Sequence, residues 1–245
     1  MINVTVWNEF IHEREDDAVK EVYPNGIHMC IKDFLGVNED INVRTATLDE
    51  PQNGLTDEIL KTTDVLIWWA HIGHDKVLDE VAKKVQNRVL EGMGFIALHS
   101  AHFSKPFTAL MGTSGSLCWR DDDFERLWNV APSHPITQGI GDYIELEQEE
   151  MYGERFDIPT PDELIFIGWF RGGEVFRSGC CWNRGQGKVF YFQPGHESNP
   201  TYYKPEIQRI ITNAVRFVAP KNGFWKIECP NAEISPEARI ATLKG

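Results

Sequence analysis

The sequence lacks three features that would place it in large classes of protein. None of its five cysteines belongs to a Cys-x-x-Cys pair, so neither a disulfide framework nor a thiolate zinc knuckle is predicted. No apolar run approaches the roughly 18 residues that a membrane-spanning helix needs. The first residues, MINVTVWNEF, lack the basic stretch of a signal peptide. We therefore expect a protein of the reducing cytoplasm with no membrane partner.

Positive charge is also scarce. Lys and Arg number 24 against 37 Asp and Glu, which gives a formal net charge of −13 at pH 7. A surface of this sign repels phosphate backbones. We therefore expect no nucleic-acid partner, and no nucleotide cofactor is expected either.

Apolar residues are plentiful, at 42% of 245 residues, which allows an extensive core in one large domain. In the first half of the chain, predicted strands alternate with predicted helices. This pattern favours a mostly parallel sheet that is covered on both faces. The predicted strands are Ile2–Trp7, Ile41–Thr47, Val65–Trp69 and Phe95–Leu98, and the predicted helices are 28–35, 55–61 and 75–90.

The pattern changes after Phe107, where glycine-rich and acidic stretches suggest inserted loops and short strands. Three later runs, 164–170, 175–182 and 188–192, are separated by glycine turns and predict an antiparallel meander. Pro205 begins a final predicted helix. We expect one α/β domain over 1–218. The remainder, 219–245, shows little periodicity and is expected to pack on the surface or against a second subunit of a homo-oligomer.

The most informative feature is the position of the histidines. His71 and His74 follow the third predicted strand, His99 and His102 follow the fourth, and His196 follows the run KVFYF. In an open α/β sheet, the carboxyl ends of the strands line the ligand crevice. A single histidine is more often an ordinary core or capping residue. Five histidines at strand ends nevertheless predict a working site.

Two chemistries suit these imidazoles. With a carboxylate they form a ligand set for Zn²⁺ or another divalent transition metal, and the predicted metal ligands are His71, His99, His102 and His196. Without a metal they would act as general acids and bases near neutral pH. The predicted catalytic residues are His99, Ser100, His196, Glu197 and Glu150. Ser100 is a weak candidate nucleophile because the glycines of a Gly-x-Ser-x-Gly elbow are missing.

A further set of side chains is predicted to contact a substrate. The set consists of imidazoles near the sheet edge and of aromatic rings that can stack on a sugar: His12, His28, His74, Trp69 and Tyr152. Each has an ordinary alternative, since His12 lies in a charged stretch, His74 can cap a turn and the aromatic rings can simply fill the core. Loop geometry decides which of the three histidines joins the site.

Seven segments of the sequence, taken in order, resemble the ThuA-like trehalose utilisation family. They are VTVWNEF, YPNGIH, VLIWWAHIGHD, GFIALHSAH, HPITQGI, the Glu-Glu-Met-Tyr run and FYFQPGHE. The resemblance extends from about residue 2 to residue 217. It implies a flavodoxin-like three-layer sandwich of the class I glutamine amidotransferase type. It also implies a role in the breakdown of trehalose or related glucosides.

The resemblance further implies where amidotransferase site residues would fall. The nucleophile elbow corresponds to the Leu-His-Ser-Ala turn, where His99 or Ser100 stands in place of cysteine. The late His-Pro-Glu motif resembles Pro-Gly-His-Glu, which carries His196 and Glu197. Without the elbow cysteine, glutamine hydrolysis through a thioester is not supported, and the scaffold must serve other chemistry.

Three functional hypotheses remain open at this point. The first is a cytoplasmic enzyme that acts on a glucoside or keto-glucoside by hydrolysis, elimination or isomerisation. The second is a non-catalytic sugar-binding or regulatory module. The third is a metal-dependent hydrolase of another small molecule. Several titrating imidazoles favour an enzyme, because sugar binding alone calls for Asp, Asn and aromatic residues.

Overall fold

The first half of the sheet is parallel, as the alternating pattern predicts. We describe it from a computed structural model that covers residues 1–226, 228–229 and 231–243. Its strands are β1 (Ile2–Asn8), β2 (Ile41–Thr47), β3 (Val65–Trp69), β4 (Gly94–Leu98) and β9 (Gly187–Phe192). They lie in the order β2-β1-β3-β4-β9, and every pairing among them is parallel. This is the order of a flavodoxin-type sheet.

The second half of the sheet is antiparallel. Its strands are β5 (Cys118–Asn129), β6 (Tyr143–Gly153), β7 (Glu163–Phe170) and β8 (Val175–Arg184). The predicted meander corresponds to β7, β8 and β9. The expectation of loops and short strands after Phe107 is wrong, since β5 has 12 residues and β6 has 11. Acidic residues, which are poor strand formers, occupy these strands, and pairing with neighbouring strands outweighs their intrinsic preference.

Two short helices, α1 (His12–Glu15) and α2 (Asp17–Val22), follow β1. Longer helices cover both faces of the parallel half. On one face lie α3 (Ile27–Gly36) and α7 (Pro205–Val218), and on the other lie α4 (Asp57–Lys61), α5 (Asp79–Glu91) and α6 (Lys105–Met111). Side chains alternate across each strand, so Trp68 packs on one face while Ile67 and Trp69 pack on the other. The result is a three-layer α/β arrangement. Helix α5 begins later than predicted because residues 74–76 form a separate 3₁₀ turn.

The C-terminal segment leaves the domain after α7. The Arg88 guanidinium lies 3.9 Å from the centre of the Phe224 ring, and the Trp225 N–H donates to the Glu91 carbonyl at 2.9 Å. Helix α8 (Pro236–Leu243) has no buried residue. Positions 227, 230 and 244–245 of the predicted tail lie outside the described residues. In the part of the chain that is described, no helix is long and apolar enough to cross a membrane.

Candidate functional site

The ends of three parallel strands bring together the histidines that the sequence analysis singled out. His71 follows β3, His99 follows β4, and His196 follows β9; Glu150 of β6 completes the group. One ligand atom from each of these four residues lies within 4.8 Å of every other. The ring centroids of the three histidines are 5.3 to 5.7 Å apart. We call these four residues the histidine–glutamate cluster.

The Nδ1 atom of each histidine in the cluster has a hydrogen-bond partner. The partner is Glu197 Oε1 for His71 at 2.9 Å and the Gln193 carbonyl oxygen for His99 at 3.0 Å. Nδ1 of His196 instead accepts from the Ser198 backbone N–H at 3.3 Å and lies 2.7 Å from Ser198 Oγ. A carbonyl oxygen can only accept, so Nδ1 of His99 carries the hydrogen. When Nδ1–H donates in this way, Nε2 of the neutral ring presents its lone pair, which is the form that binds metal ions.

His99 and Glu150 form a buried ion pair, with 2.9 Å between Nε2 and Oε2. Burial disfavours the charged form of His99, but the Glu150 carboxylate outweighs burial and raises the pKa of His99 to about 9. Burial instead dominates at His196, whose pKa is lowered to about 4. Burial opposes ionisation of Glu197, yet His71 holds the pKa of Glu197 at about 2. At neutral pH, when no metal is bound, His99 is therefore charged and His196 is neutral.

The turn after β4 gives His99 an unusual backbone conformation. Its φ of +52° lies in the left-handed region, which is uncommon for a residue other than glycine. A nucleophile elbow has this kind of sharp, strained turn at its apex. His99, rather than Ser100, thus occupies the apex. Ser100 Oγ lies 2.6 Å from the Tyr152 hydroxyl, and the Tyr152 ring stacks on His99 with centroids 5.2 Å apart.

Glu149 is fully buried beneath the site. Its carboxylate accepts hydrogen bonds from the N–H groups of Gly195 and His196, both at 3.0 Å, and from Thr201 Oγ1 at 2.9 Å. These bonds fix the loop that carries His196 and Glu197. The sequence pointed to Glu150 of this strand and not to Glu149.

Glu9 supports the loop after β3 in the same way that Glu149 supports the loop after β9. It is fully buried, and its two carboxylate oxygens accept from the N–H groups of Ile72 at 3.0 Å and Gly73 at 2.7 Å. These bonds orient the loop between His71 and His74. Nothing in the sequence pattern pointed to Glu9, because its partners are backbone groups that are 63 and 64 residues away.

His102 does not join the group of clustered donor atoms, and Glu150 takes the place predicted for it. The Nδ1 atom of His102 donates to the Gly115 carbonyl at 2.8 Å. His12 contacts a member of the cluster directly. Its Nε2 atom is 3.2 Å from His71 Nδ1 and 3.5 Å from Glu197 Oε1.

Three residues predicted to contact a substrate lie outside the cluster. His28 Nδ1 is 3.0 Å from Asn8 Nδ2. Trp69 is fully buried, and its Nε1–H donates to the Gly195 carbonyl at 3.1 Å. His74 packs edge-on against Phe103, and burial lowers its pKa to about 4. Contact of these three side chains with a substrate stays a prediction.

A cavity of about 290 Å³ opens onto the cluster. His71 and Glu150 lie on one side of it, next to Ser100, His102 and Tyr152. Small-molecule cavities span roughly 300–1,000 Å³, so this one is at the lower limit. Its size suits a small polar molecule rather than a dinucleotide.

The parallel sheet, the turn after β4 and the cluster at the strand ends define an α/β protein whose candidate site lies at the carboxyl ends of its parallel strands. The chain belongs to the ThuA family, which is described by trehalose utilisation and whose model matches residues 3–218. This confirms the resemblance seen in the sequence. Among curated proteins, none has a sequence that matches this chain.

Solved structures share the fold at low sequence identity. A ThuA-like protein from Parabacteroides merdae has a TM-score of 0.66 and 13% identity, over 94% of this chain and 97% of that one. A protein from Salmonella typhimurium, named as cytoplasmic, has a TM-score of 0.61 and 12% identity, over 89% and 99%. A glutamine amidotransferase from Thermotoga maritima has a TM-score of 0.53 and 9% identity, over 88% and 97%. At such identities the likeness shows the fold alone.

Proposed function

We propose that the protein is an enzyme that breaks down a glucoside or keto-glucoside at the histidine–glutamate cluster with the help of a divalent transition metal. The observation that carries this proposal is the convergence of four ligand atoms within 4.8 Å, next to a small cavity that His71 and Glu150 line. The family's description by trehalose utilisation supports a sugar substrate. The neighbour named as cytoplasmic supports a cytoplasmic location.

The donor set fits a metal such as Zn²⁺. Imidazole nitrogens and a carboxylate are ligands that zinc and its neighbours in the first transition row accept. Glu150 Oε2 is buried and, within the described chain, has no hydrogen-bond partner besides its ion pair with His99. Such an oxygen is suited to coordinate a cation. A bound divalent metal would polarise a substrate carbonyl or hydroxyl, or would lower the pKa of bound water.

The protein's own groups around the cluster would orient the substrate and hold protons. Burial raises the pKa of Tyr152 well above its usual value, so its hydroxyl remains protonated and can donate to a substrate oxygen. Burial lowers the pKa of His102 to about 3. His102 is therefore neutral, and its Nε2 atom can accept a hydrogen bond from a sugar hydroxyl because Nδ1 donates to Gly115.

Turnover measurements test this proposal. Metal-loaded protein would be incubated with trehalose, simple glucosides and their keto derivatives, and the products followed by proton NMR. We expect turnover of at least one sugar, with a loss of more than about 100-fold in His99→Ala and Glu150→Gln, the range typical for removal of a general acid or base. His134→Asn is the matched control, because His134 packs against Phe217, remote from the cluster.

Other outcomes would favour the competing functions. Binding of sugars that stabilises the protein without any chemical change would favour a non-catalytic sugar-binding or regulatory module. Turnover of amides or esters, with no turnover of sugars, would favour a metal-dependent hydrolase of another small molecule. Equal sugar turnover in the wild type and in His99→Ala would overturn the assignment of the site.

A further inference from the structure

Three apolar side chains line the side of the cavity that faces the histidine–glutamate cluster. They are Phe103, Leu117 and Trp119, and we call them the apolar wall. Trp119 is 61% exposed and Phe103 is 43% exposed. Large apolar side chains that are exposed in one cavity indicate a ligand-binding surface. The polar chemistry proposed for the cluster does not use them.

The register of the sheet places the wall next to the cluster. Trp119 of β5 pairs with Tyr152 of β6, and side chains at directly paired positions lie on the same face with Cβ atoms about 4.5–5.5 Å apart. Tyr152 in turn stacks on His99. A molecule bound at the cluster would therefore contact the Trp119 indole, which lies about one side-chain width further from the cluster than Tyr152.

Phe103 completes the wall from the β4 side of the cavity. Its ring centroid is 4.2 Å from that of His102, so the wall approaches the polar groups from two strands. Asp121 lies two residues beyond Trp119 in β5, lines the same cavity and is exposed to solvent. The cavity thus has a polar floor, an apolar side and a carboxylate at its outer rim.

We propose that the apolar wall binds the leaving group of the substrate, and that the substrate is a glucoside whose aglycone is aromatic. This inference rests on the proposed function for the sugar half of the molecule. An aromatic ring stacks favourably on an indole and packs against Leu117. The Asp121 carboxylate can accept a hydrogen bond from a phenolic hydroxyl at the rim.

A second sugar ring fits the wall less well. One face of a sugar ring can stack on the Trp119 indole, but its hydroxyls that face Phe103 and Leu117 would lose water without gaining hydrogen bonds, which is unfavourable. The cavity volume of about 290 Å³ also favours one hexose with one small ring over a longer saccharide. The wall therefore discriminates against a disaccharide such as trehalose.

The test compares ligands that differ only in the leaving group. Phenyl glucopyranoside, methyl glucopyranoside, trehalose and phenol would each be titrated into metal-loaded protein by calorimetry, with both anomers of the two glucosides and with NMR to correct for turnover. We expect phenyl glucoside to bind about tenfold more tightly than methyl glucoside, which corresponds to about 1.4 kcal/mol. In Trp119→Ala this ratio should fall to about one, while methyl glucoside binds as before.

Trp225→Ala serves as the matched control, because Trp225 is 60% exposed in the C-terminal segment and contacts α5 rather than the cavity. It should retain the tenfold preference. Equal binding of phenyl and methyl glucosides by the wild type, or tighter binding of trehalose through Trp119, would overturn the inference. If phenol binds through Trp119 but no glucoside binds, the proposed sugar function fails while the aromatic specificity of the wall stands.

Discussion

At His99, a left-handed backbone, a carbonyl that holds Nδ1 and a buried carboxylate all act on one side chain. The backbone aims the ring into the crevice, and the carbonyl selects Nε2 as the reactive atom. The Glu150 carboxylate then stabilises the protonated ring. A metal ion can replace the proton on Nε2, because the proton and the metal ion would occupy the same position beside the Glu150 carboxylate.

Metal binding should therefore release a proton near neutral pH. With a pKa of about 9, His99 is charged at lower pH and must lose its proton before Nε2 can bind Zn²⁺. His196, with a pKa of about 4, is already neutral there. Zinc affinity should rise about tenfold per pH unit between pH 7 and 9 and then level off, since one proton is linked to binding.

Calorimetry in two buffers of different ionisation enthalpy measures this proton directly. At pH 7.5, we expect about one proton released for each zinc ion bound. Glu150→Gln should bring the count close to zero, because without the carboxylate His99 is no longer held in its charged form. A zinc affinity that is constant from pH 7 to 9 in the wild type would contradict the assignment of His99.

The sequence predicted the positions of site residues correctly where those residues follow the ends of parallel strands. His71, His99 and His196 could be placed together because parallel strands end at one edge of a sheet. Glu9 and Glu149 could not be found in this way, since their role depends on which backbone N–H groups point inward. The exchange of His102 for Glu150 depended on the hydrogen bond to Gly115, which no sequence pattern reveals.

Among the elements, the loop after β9 is the part of the site that depends most on one buried group. Gly195, His196 and Thr201 all donate to the Glu149 carboxylate. The carboxylate has acceptor sites for all of them, whereas an amide in its place would turn N–H donors toward other N–H donors.

Glu149→Gln should consequently destabilise the protein by about 2 kcal/mol, the range for loss of buried hydrogen bonds to a charged group. It should also weaken metal binding, because His196 would no longer be held in place. Urea unfolding and metal titration measure the two effects. Glu147→Gln is the matched control, since Glu147 is exposed on the same strand. Equal effects of the two substitutions would refute the proposed support of the loop.

The elements themselves differ in how far the sequence predicts them. Strands buried on both faces, such as β3 and β4, have continuous apolar runs that are easy to recognise. Strand β6 instead alternates buried Ile144 and Leu146 with exposed acidic residues. Its charges obscure that alternation, and its strand character arises from pairing with β5.

At the scale of the whole molecule, the C-terminal segment has two parts with different expected contributions. Phe224 and Trp225 contact α5, whereas α8 buries none of its residues. Surface residues that bury no area add little to the free energy of unfolding.

Removal of residues 226–245 should accordingly change the melting temperature by less than about 2 °C, whereas removal of 220–245 should lower it by about 3 °C or more. The cation–π contact of Arg88 is lost only in the longer deletion. Thermal unfolding and light scattering of both truncated chains measure the outcome. A change from oligomer to monomer on the shorter deletion would show that residues 226–245 join subunits of a homo-oligomer and would contradict the small contribution expected of them.

We propose that the three histidines and Glu150 bind a metal. Elemental analysis of the purified protein tests this binding most directly. Protein purified without chelators or a histidine tag would be compared with His99→Ala, His196→Ala and the remote control His134→Asn. We expect near-stoichiometric zinc or another divalent transition metal in the wild type and in His134→Asn, with a large loss in the other two variants. A metal-free wild type that also binds no added metal, or metal content unchanged in His99→Ala and His196→Ala, would contradict the proposal.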